Sequence, residues 1–320
     1  MNNSLLFSVV IPLYNKADTI LRTLRSVEAQ SFREFELIVV DDGSSDEGVS
    51  LVEPYKTTIP LRVIRQANAG VSAARNRGAA EAHGRYVVFL DADDEWMPTF
   101  LDELHRIVER FPAAKVIGTN YEQKNSDRII SGIDRDIREE VDFFAEWPYR
   151  SPVHTSSVAI RKDLFDRVGG FVVGHRYYED AELLYKLALM TKFHLSRRVL
   201  CCYNTDAAIR ATGTRYDVSE FPHWQLAERL LGDGAVSPAL KRCARLELEK
   251  YVLGCARHFR CGDVRRLRVS FPMTMKGLGF ISWLGWCPVL VLCYPFVIGR
   301  SWVLRRRILK SFKVSNCKTR

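Results

Sequence analysis

The sequence predicts an α/β fold, a mostly parallel sheet flanked by helices. Three observations predict it. Apolar runs of strand length recur at "FSVVIPLY", "FELIVV", "LRVI" and "RYVVFL" between residues 7 and 90. Helical stretches fall between most of them, and the first, second and fourth runs end in polar or acidic residues. Strands that are apolar throughout, without in-out alternation, are buried on both faces, which βαβ crossovers achieve by laying helices on each side.

The elements follow in order. "FSVVIPLY" is a buried strand closed by Pro12 and a turn at Asn15. Residues 17–30 carry Ile20, Leu21, Leu24 and Val27 at helical spacing. "FELIVV" (35–40) is the second strand and runs into "DDGSSD"; "LRVI" (61–64) is the third. "GVSAARNRGAAEAHG" (70–84) reads as a helix of small residues, and "RYVVFL" (85–90) as the fourth strand, running into "DADD". Pro98 opens a helix through Phe111, and "KVIGTNY" returns as a fifth strand. Further on, "HTSSVAIRKDLFDRVGGF" reads as strand, short helix and glycine turn. "YYEDAELLYKLALM" is a helix with Glu179, Asp180 and Glu182 in its first turn, where acids suit the positive helix end. Residues 221–270 are helical in pattern, with "LKRCARLELEKYVLGCARHF" the clearest amphipathic run.

Charge is unevenly spread. The net +9 suggests nucleic acid until it is located. Residues 261–320 hold twelve Lys/Arg and one acid, Asp263, so the rest of the chain is slightly negative. The basicity belongs to the tail, and no nucleic-acid partner is expected. Eight cysteines form no C-x-x-C pair, and Cys201 and Cys202 are adjacent and hard to bridge. No secretory leader pattern opens the sequence, so reduced thiols in a cytosolic setting are expected.

In sheets of this kind ligands bind beyond the carboxyl ends of the strands. Tyr14, Asp41, Asp42 and the cluster Asp91, Asp93 and Asp94 all fall there. The edge offers no Ser–His or Cys–His arrangement, and no Cys/His pair stands at zinc spacing. Three carboxylates in four positions repel one another and call for a positive charge. Hard oxygen donors suit Mg²⁺ or Mn²⁺, which commonly binds through one or two acids plus substrate phosphates.

Taken together, "VVIPLYNKADTILRTLRSVEAQSFREFELIVVDDGSSD" and "NAGVSAARNRGAAEAHGRYVVFLDADD" resemble the family 2 nucleotide-sugar glycosyltransferases of GT-A fold. The resemblance covers about residues 6–205. It rests on Pro12–Asn15, "DDGS", "N-x-G-x-S-x-A-R-N-x-G", the D-A-D signature, "GGF" and a downstream "ED". It implies a GT-A catalytic domain over 1–210, followed by a helical extension (211–275) and a basic-flanked apolar tail (276–320). It implies an inverting, metal-dependent enzyme. Such an enzyme moves a sugar from a nucleotide-diphosphate donor to a hydroxyl of a glycan or lipid-linked acceptor, in cell-surface polysaccharide synthesis.

Residue by residue, the resemblance implies that Pro12 and Tyr14 contact the base, Asp42 the pyrimidine ring and Asp91 the ribose. Arg75 faces the diphosphate, and Asp93 coordinates Mg²⁺ or Mn²⁺. Asp180 is the catalytic base, with Glu179 structural or acceptor-facing. Asp41 is either a ligand or a cap of its own turn, and Asp94 reads as an N-terminal helix acid. Inversion needs one base to take the acceptor proton and no covalent intermediate. The competing readings are a nucleotidyltransferase, whose Gly-rich loop "IPLYNKADT" does not supply, and a non-catalytic sugar-nucleotide binder, which would not need Asp180. A phospho-acceptor receiver domain would want a Lys after the fifth strand, and "VIGTNYEQ" has none.

The tail adds a partner. Residues 277–299 contain no charge, yet Pro288 and Pro295 interrupt the run and both flanks are basic. Each half is too short to span a bilayer, and a straight span would leave one basic flank on the wrong side. An interfacial or re-entrant hairpin keeps both flanks on one side. A peripheral or monotopic protein on the cytoplasmic face of the inner membrane is therefore expected.

Overall fold

The computed structural model describes residues 5–125, 128–131, 141–147, 151–175 and 178–205, and the single positions 226, 238, 240, 242 and 243. The chain opens with β1 (Phe7–Leu13), α1 (Ile20–Glu28), β2 (Phe35–Asp41), α2 (Gly48–Val52), β3 (Leu61–Arg65), α3 (Val71–Ala80) and β4 (Tyr86–Phe89). A two-residue β5 (Glu95–Trp96) precedes α4 (Phe100–Arg110), then β6 (Val116–Asn125), β7 (Arg128–Ser131) and α5 (Phe143–Glu146). A 3₁₀ turn at Thr155–Ser157 leads into β8 (Val158–Arg161), α6 (Lys162–Val168), α7 (Glu179–Ala188) and β9 (Phe193–Asn204).

The strands form one mixed sheet in the order β3-β2-β1-β4-β8-β6-β9-β5, with β7 paired to β6. The first four are mutually parallel, as the apolar runs imply. Beyond β4 the direction changes: β8 is antiparallel to both β4 and β6, and β9 is parallel to β6. Helices cover both faces. Val9, Ile11 and Leu13 share a buried core with Leu24 and Val27 of α1 and Leu101 and Leu104 of α4. On the opposite face α3 lies so close that a Cβ on Gly78 would stand 2.3 Å from Val10 Cγ1, and Phe89 packs on Phe165 and Phe171. The small-residue composition of α3 is thus a requirement of close helix–sheet approach.

Register brings the acids to one edge. Leu13 lies beside Asp41, and β4 ends where Phe89 pairs with Val10, so Tyr14, Asp42 and Asp91 emerge together. Pro12 is tolerated in a central strand for the same reason. The Val10 carbonyl accepts from Leu90 on the β4 side, so position 12 faces that side at the end of β4, where a missing N–H costs at most the last bond of the ladder.

Two compact units divide the chain: Met1–Phe143 with Pro152–Gly213, and Phe144–Ser151 with Thr214–Arg320. The sheet belongs to the first. Of the extension expected over 211–275, the five single positions between 226 and 243 are helical; the rest of it, and the tail 276–320, lie outside the described residues. Among the described residues no helix is long and apolar enough to cross a membrane. Cys201 and Cys202 are free, buried thiols in β9.

Candidate active site

The first loops at the acidic edge are held by their own signature residues. Asn15 takes a left-handed conformation (φ 50°), tolerable for Asn, and its Oδ1 accepts from the Ser45 N–H at 2.8 Å while its own N–H donates to Ser44 Oγ. Asp41 Oδ1 accepts from the Ser44 N–H at 3.0 Å, so Asp41 caps its turn. Asp42, almost fully buried, accepts from Gln66 Nε2 and the Ala69 N–H through Oδ1 and from the Gly70 N–H through Oδ2, at 2.8–2.9 Å. It therefore fixes the loop that starts α3. Tyr14 stands exposed beside it, and Pro12 is buried below.

The "ARN" and "GGF" signatures lock together. Asn76 Nδ2 donates to the Phe171 carbonyl at 2.7 Å and its Oδ1 accepts the Phe171 N–H at 2.9 Å. Gly170 sits at φ 63°, and a Cβ there would lie 2.6 Å from Asn76 Oδ1, so any other residue would be strained and would push on the Asn76 amide. The Phe171 ring then lies under the Arg75 guanidinium, 5.1 Å from centroid to Cζ.

Arg75 is the hub. It is 4% exposed, and it donates from Nη2 to Asp91 Oδ1 at 2.6 Å and from Nη1 to Glu179 Oε1 at 3.0 Å. Burial disfavours its charge, but Asp91 and Glu179 outweigh that and hold its pKa above the ordinary value. Removing either carboxylate would leave a buried charge under-compensated, at a cost of about 3–5 kcal/mol. Its Nε and the nearby buried Ser72 Oγ have no hydrogen-bond partner among the described residues.

Asp180 follows Glu179 at the start of α7, whose first turn carries the expected acids. Burial and the neighbouring Glu179 charge push its pKa up to about 6, against the opposing pull of Arg75. A carboxylate with that proton affinity is suited to take a proton near neutral pH.

The turn 91–94 is more crowded than its sequence suggests. Asp93 Oδ2 accepts from Lys16 Nζ at 2.6 Å, yet burial and Asp91 still raise its pKa. Asp94 is fully buried and accepts from Ser156 Oγ at 2.5 Å and from the Asn204 N–H at 3.0 Å. Burial, then Asp91 and Asp93, drive its pKa well above the carboxylate range. This corrects the expectation that Asp94 is a helix acid: α4 begins only at Phe100, because the chain first pairs Glu95–Trp96 with β9.

His154 is the residue that sequence reasoning missed. Its Nδ1 lies 3.5 Å from Asp94 Oδ2, and Asp91, Asp94 and His154 each offer a ligand atom within 4.8 Å of the others. Burial depresses the imidazole to about 4, and its Nδ1 accepts from the Ser156 N–H at 3.2 Å. The ring is neutral, so the contact with Asp94 is no salt bridge, and a neutral imidazole is a metal ligand. No spacing in "VHTSSV" announces it; the 3₁₀ turn before β8 carries it in. Lys16 had no sequence signal beyond its place after Asn15.

Among the described residues, Arg75 and Lys16 bond carboxylates of the group Asp91, Asp93, Asp94, Glu179 and Asp180, and Arg22 bonds the Asp93 carbonyl. Such an edge repels a diphosphate unless a cation joins it, and oxygen donors with one imidazole fit a divalent ion.

The fold and this edge define a GT-A-like protein with an acidic site that includes a candidate metal cluster. The chain belongs to the family described as Glycosyl transferase family 2, whose model matches residues 8–181. It is 44% identical over 105 residues to the uncharacterized glycosyltransferase YibD of Escherichia coli (strain K12), covering 32% of this chain and 30% of that protein. It is 42% identical over 109 residues to the amylovoran biosynthesis glycosyltransferase AmsB of Erwinia amylovora, covering 32% and 36%. The matched stretch spans about a third of each of these relatives. The fold is also that of S. aureus TarS 1–349, solved in complex with UDP-GlcNAc, with TM-score 0.71 over 85% of this chain and 81% of that one at 18% identity.

Proposed function

We propose that the protein is an inverting glycosyltransferase that moves a sugar from a nucleotide-diphosphate donor to a hydroxyl of a glycan or lipid-linked acceptor in surface polysaccharide synthesis. One observation carries the reading. Arg75 bridges Asp91 and Glu179, which couples the acidic turn to the helix end bearing Asp180. A donor site and a proton acceptor are thereby parts of one network, as transfer requires and mere binding does not.

Tyr14 and Pro12 border the base site, and Asp42 fixes the loop beside it. Asp91 holds the ribose side of the donor. The turn 91–94, through Asp93 and the trio Asp91, Asp94 and His154, would hold Mg²⁺ or Mn²⁺. Bound there, the ion would offset the charge that builds on the departing diphosphate. Arg75, already committed to two carboxylates, keeps Asp91 and Glu179 in register. Asp180 accepts the acceptor hydroxyl's proton as the new bond forms on the face opposite the leaving nucleotide. The AmsB relative supports a polysaccharide setting, and the UDP-GlcNAc of the TarS structure makes UDP-sugars the first donors to try. The basic flanks of 277–299 support a peripheral or monotopic place on the cytoplasmic face of the inner membrane.

The test is nucleotide release and sugar transfer from a panel of UDP-, GDP- and dTDP-sugars with Mn²⁺. One donor class is expected to turn over, and both excess EDTA and Asp93→Ala are expected to abolish it with the fold intact. Full turnover in EDTA would sink the metal reading, and no nucleotide release from any donor would sink the transferase reading. Fractionation and labelling of Cys317, protected in intact cells and reactive after lysis, test the location.

A further inference from the structure

The start of α3 leaves a group of polar atoms unused. Gly70, the residue before the helix, has φ 90° and ψ 160°, a combination essentially confined to glycine. A Cβ there would meet nothing within 4 Å, so backbone conformation rather than crowding calls for glycine. Asp42 takes the Ala69 and Gly70 N–H groups. Helical bonding begins with the Ala74 N–H, which donates to the Gly70 carbonyl. The N–H groups of Val71, Ser72 and Ala73, between these, have no acceptor among the described residues, and no side chain caps the helix.

Two buried side-chain atoms share this end of the helix. Ser72 is 3% exposed and its Oγ has no hydrogen-bond partner among the described residues; nor has Arg75 Nε, one turn further on. Residues three apart lie on one helix face, and helical Cα–Cβ bonds tilt toward the N-terminus, so the Ser72 hydroxyl leans into the uncapped first turn. A buried polar atom left unbonded costs about 1–3 kcal/mol, which a ligand would relieve.

The turn lies between the two parts of the acidic edge. Asp42 bonds the residues just ahead of it, and about 6 Å along the axis Arg75 reaches Asp91. Arg75 directs its Nη groups to Asp91 and Glu179, so an anion at this edge is met by main chain. A helix N-terminus offers N–H donors and about half a positive charge, the ordinary means of holding phosphate.

We propose that the first turn of α3 grips the donor's diphosphate through the Val71, Ser72 and Ala73 N–H groups and the Ser72 hydroxyl. The identity of the ligand rests on the transferase reading; the vacant donors do not. Four donors within one turn suit the many oxygens of a diphosphate better than the two of a carboxylate. The charge of Asp42 one residue ahead opposes an anion, so the grip is measured in Mg²⁺, which offsets the acids of the edge.

Calorimetric titration of the full chain with inorganic pyrophosphate in Mg²⁺ tests this. Two variants each delete one donor and spare the helix. Ser72→Ala removes the hydroxyl and leaves a strong helix former. Val71→Pro removes one N–H at the first helical position, where proline is tolerated and the extended ψ of Gly70 accepts it. Each is expected to weaken binding roughly tenfold. Val71→Ala, which keeps the N–H, is expected to bind as the wild type does. The midpoint of chemical denaturation should hold in Val71→Pro and hold or rise in Ser72→Ala, because the deleted hydroxyl is unbonded in the free protein. UDP, GDP and dTDP are then tried as competitors, and displacement of pyrophosphate by one of them assigns the grip to the donor. Absence of pyrophosphate binding, unchanged affinity in either donor-deleting variant, or displacement by none of the nucleotides overturns the proposal. The two readings fail separately. A chain that transfers sugar while Ser72→Ala and Val71→Pro bind pyrophosphate normally loses only the grip. A chain whose variants lose affinity while no donor turns over loses only the transferase reading.

Discussion

The two halves of the sheet do different work at the same edge. The parallel half, β3-β2-β1-β4, delivers the loops that carry Tyr14, Asp42 and the turn 91–94. The mixed half, β8-β6-β9-β5, delivers the groups that surround the Asp94 carboxylate: His154 and Ser156 before β8, and Asn204 at the end of β9. Parallel strands must run all one way and therefore release their loops together, whereas the antiparallel β8 sends its preceding turn back to the same edge. The comparison teaches that the parallel half exports the acids and bonds the turn's carbonyls through Thr19, Arg22 and Thr23, while the mixed half supplies the donors to the Asp94 carboxylate. Four measurements can break or sharpen it.

The largest effect is expected at Asp180, which lies in neither half but is tied to the parallel one through Arg75. Asp180→Asn removes the proton acceptor and keeps the volume, so kcat should fall by roughly 10²–10⁴-fold with donor affinity retained. The raised pKa adds a signature. The base works ionised, so the wild-type rate should climb as pH rises through about 6 and level off above it, and this limb should vanish in Asp180→Asn. Near-normal kcat in the variant would pass the role to Glu179.

Next come two stability tests, one per half. In the parallel half the constraint is volume. Gly78→Ala puts a methyl against Val10, at a cost of about 1–3 kcal/mol in chemical denaturation, without altering the acidic turn. In the mixed half the constraint is polar. Ser156→Ala deprives buried Asp94 of its hydroxyl donor and the Asp91 N–H of its acceptor, at a cost of about 1–2 kcal/mol. Unlike Gly78→Ala, it should also weaken Mn²⁺ binding. Equal metal affinity in the two variants would dissolve the division of labour.

That division also governs what was legible in the sequence. β1, β2 and β4 read correctly because Val/Ile runs buried on both faces leave a continuous apolar pattern, and their ends name the acids. α1 and α3 were recovered a few residues too long, since capping residues share the helical pattern, and the five-residue α2 was not read at all. β9 was missed: "FHLSRRVLCCYN" mixes Ser and two Arg into a mostly buried strand and shows no clean alternation. β5 is two residues long and exists only because β9 is beside it. Asp94 was misjudged for that reason, because "DDEWMP" resembles a helix start when β9 is left out. His154 and Ser156 reach the site through long-range pairing of β8 with β4 and β6, which no local spacing encodes. Asp42 was legible as an acid at the strand edge, but its three bonds to the 66–70 loop were not.

The smallest effect is expected at Lys16, and it tests whether the acidic turn seeks a cation at all. Lys16 Nζ stands 2.6 Å from Asp93 Oδ2, and Asp93 remains proton-hungry despite it, because burial and Asp91 act against its charge. An ammonium held there competes with a divalent ion for the same oxygens and repels it. Lys16→Met keeps the aliphatic stem, removes the charge and leaves Asp93 without its ammonium partner. Two outcomes oppose each other: the vacated carboxylate can take up a proton, or it can bind a metal more tightly. At neutral pH the proton is scarce relative to millimolar Mn²⁺, so tighter metal binding should prevail, by about tenfold, since one full charge near the protein surface is worth about 1–4 kcal/mol at contact. Mn²⁺ titration followed by electron paramagnetic resonance reads this directly, without donor or acceptor. As pH falls through the raised pKa of Asp93, proton uptake should overtake the metal and the advantage of Lys16→Met should shrink. Unchanged Mn²⁺ affinity at neutral pH would mean that the ion is held by Asp91, Asp94 and His154 without Asp93, and would shift the metal site toward the Asp94 carboxylate and the groups that the mixed half sets around it.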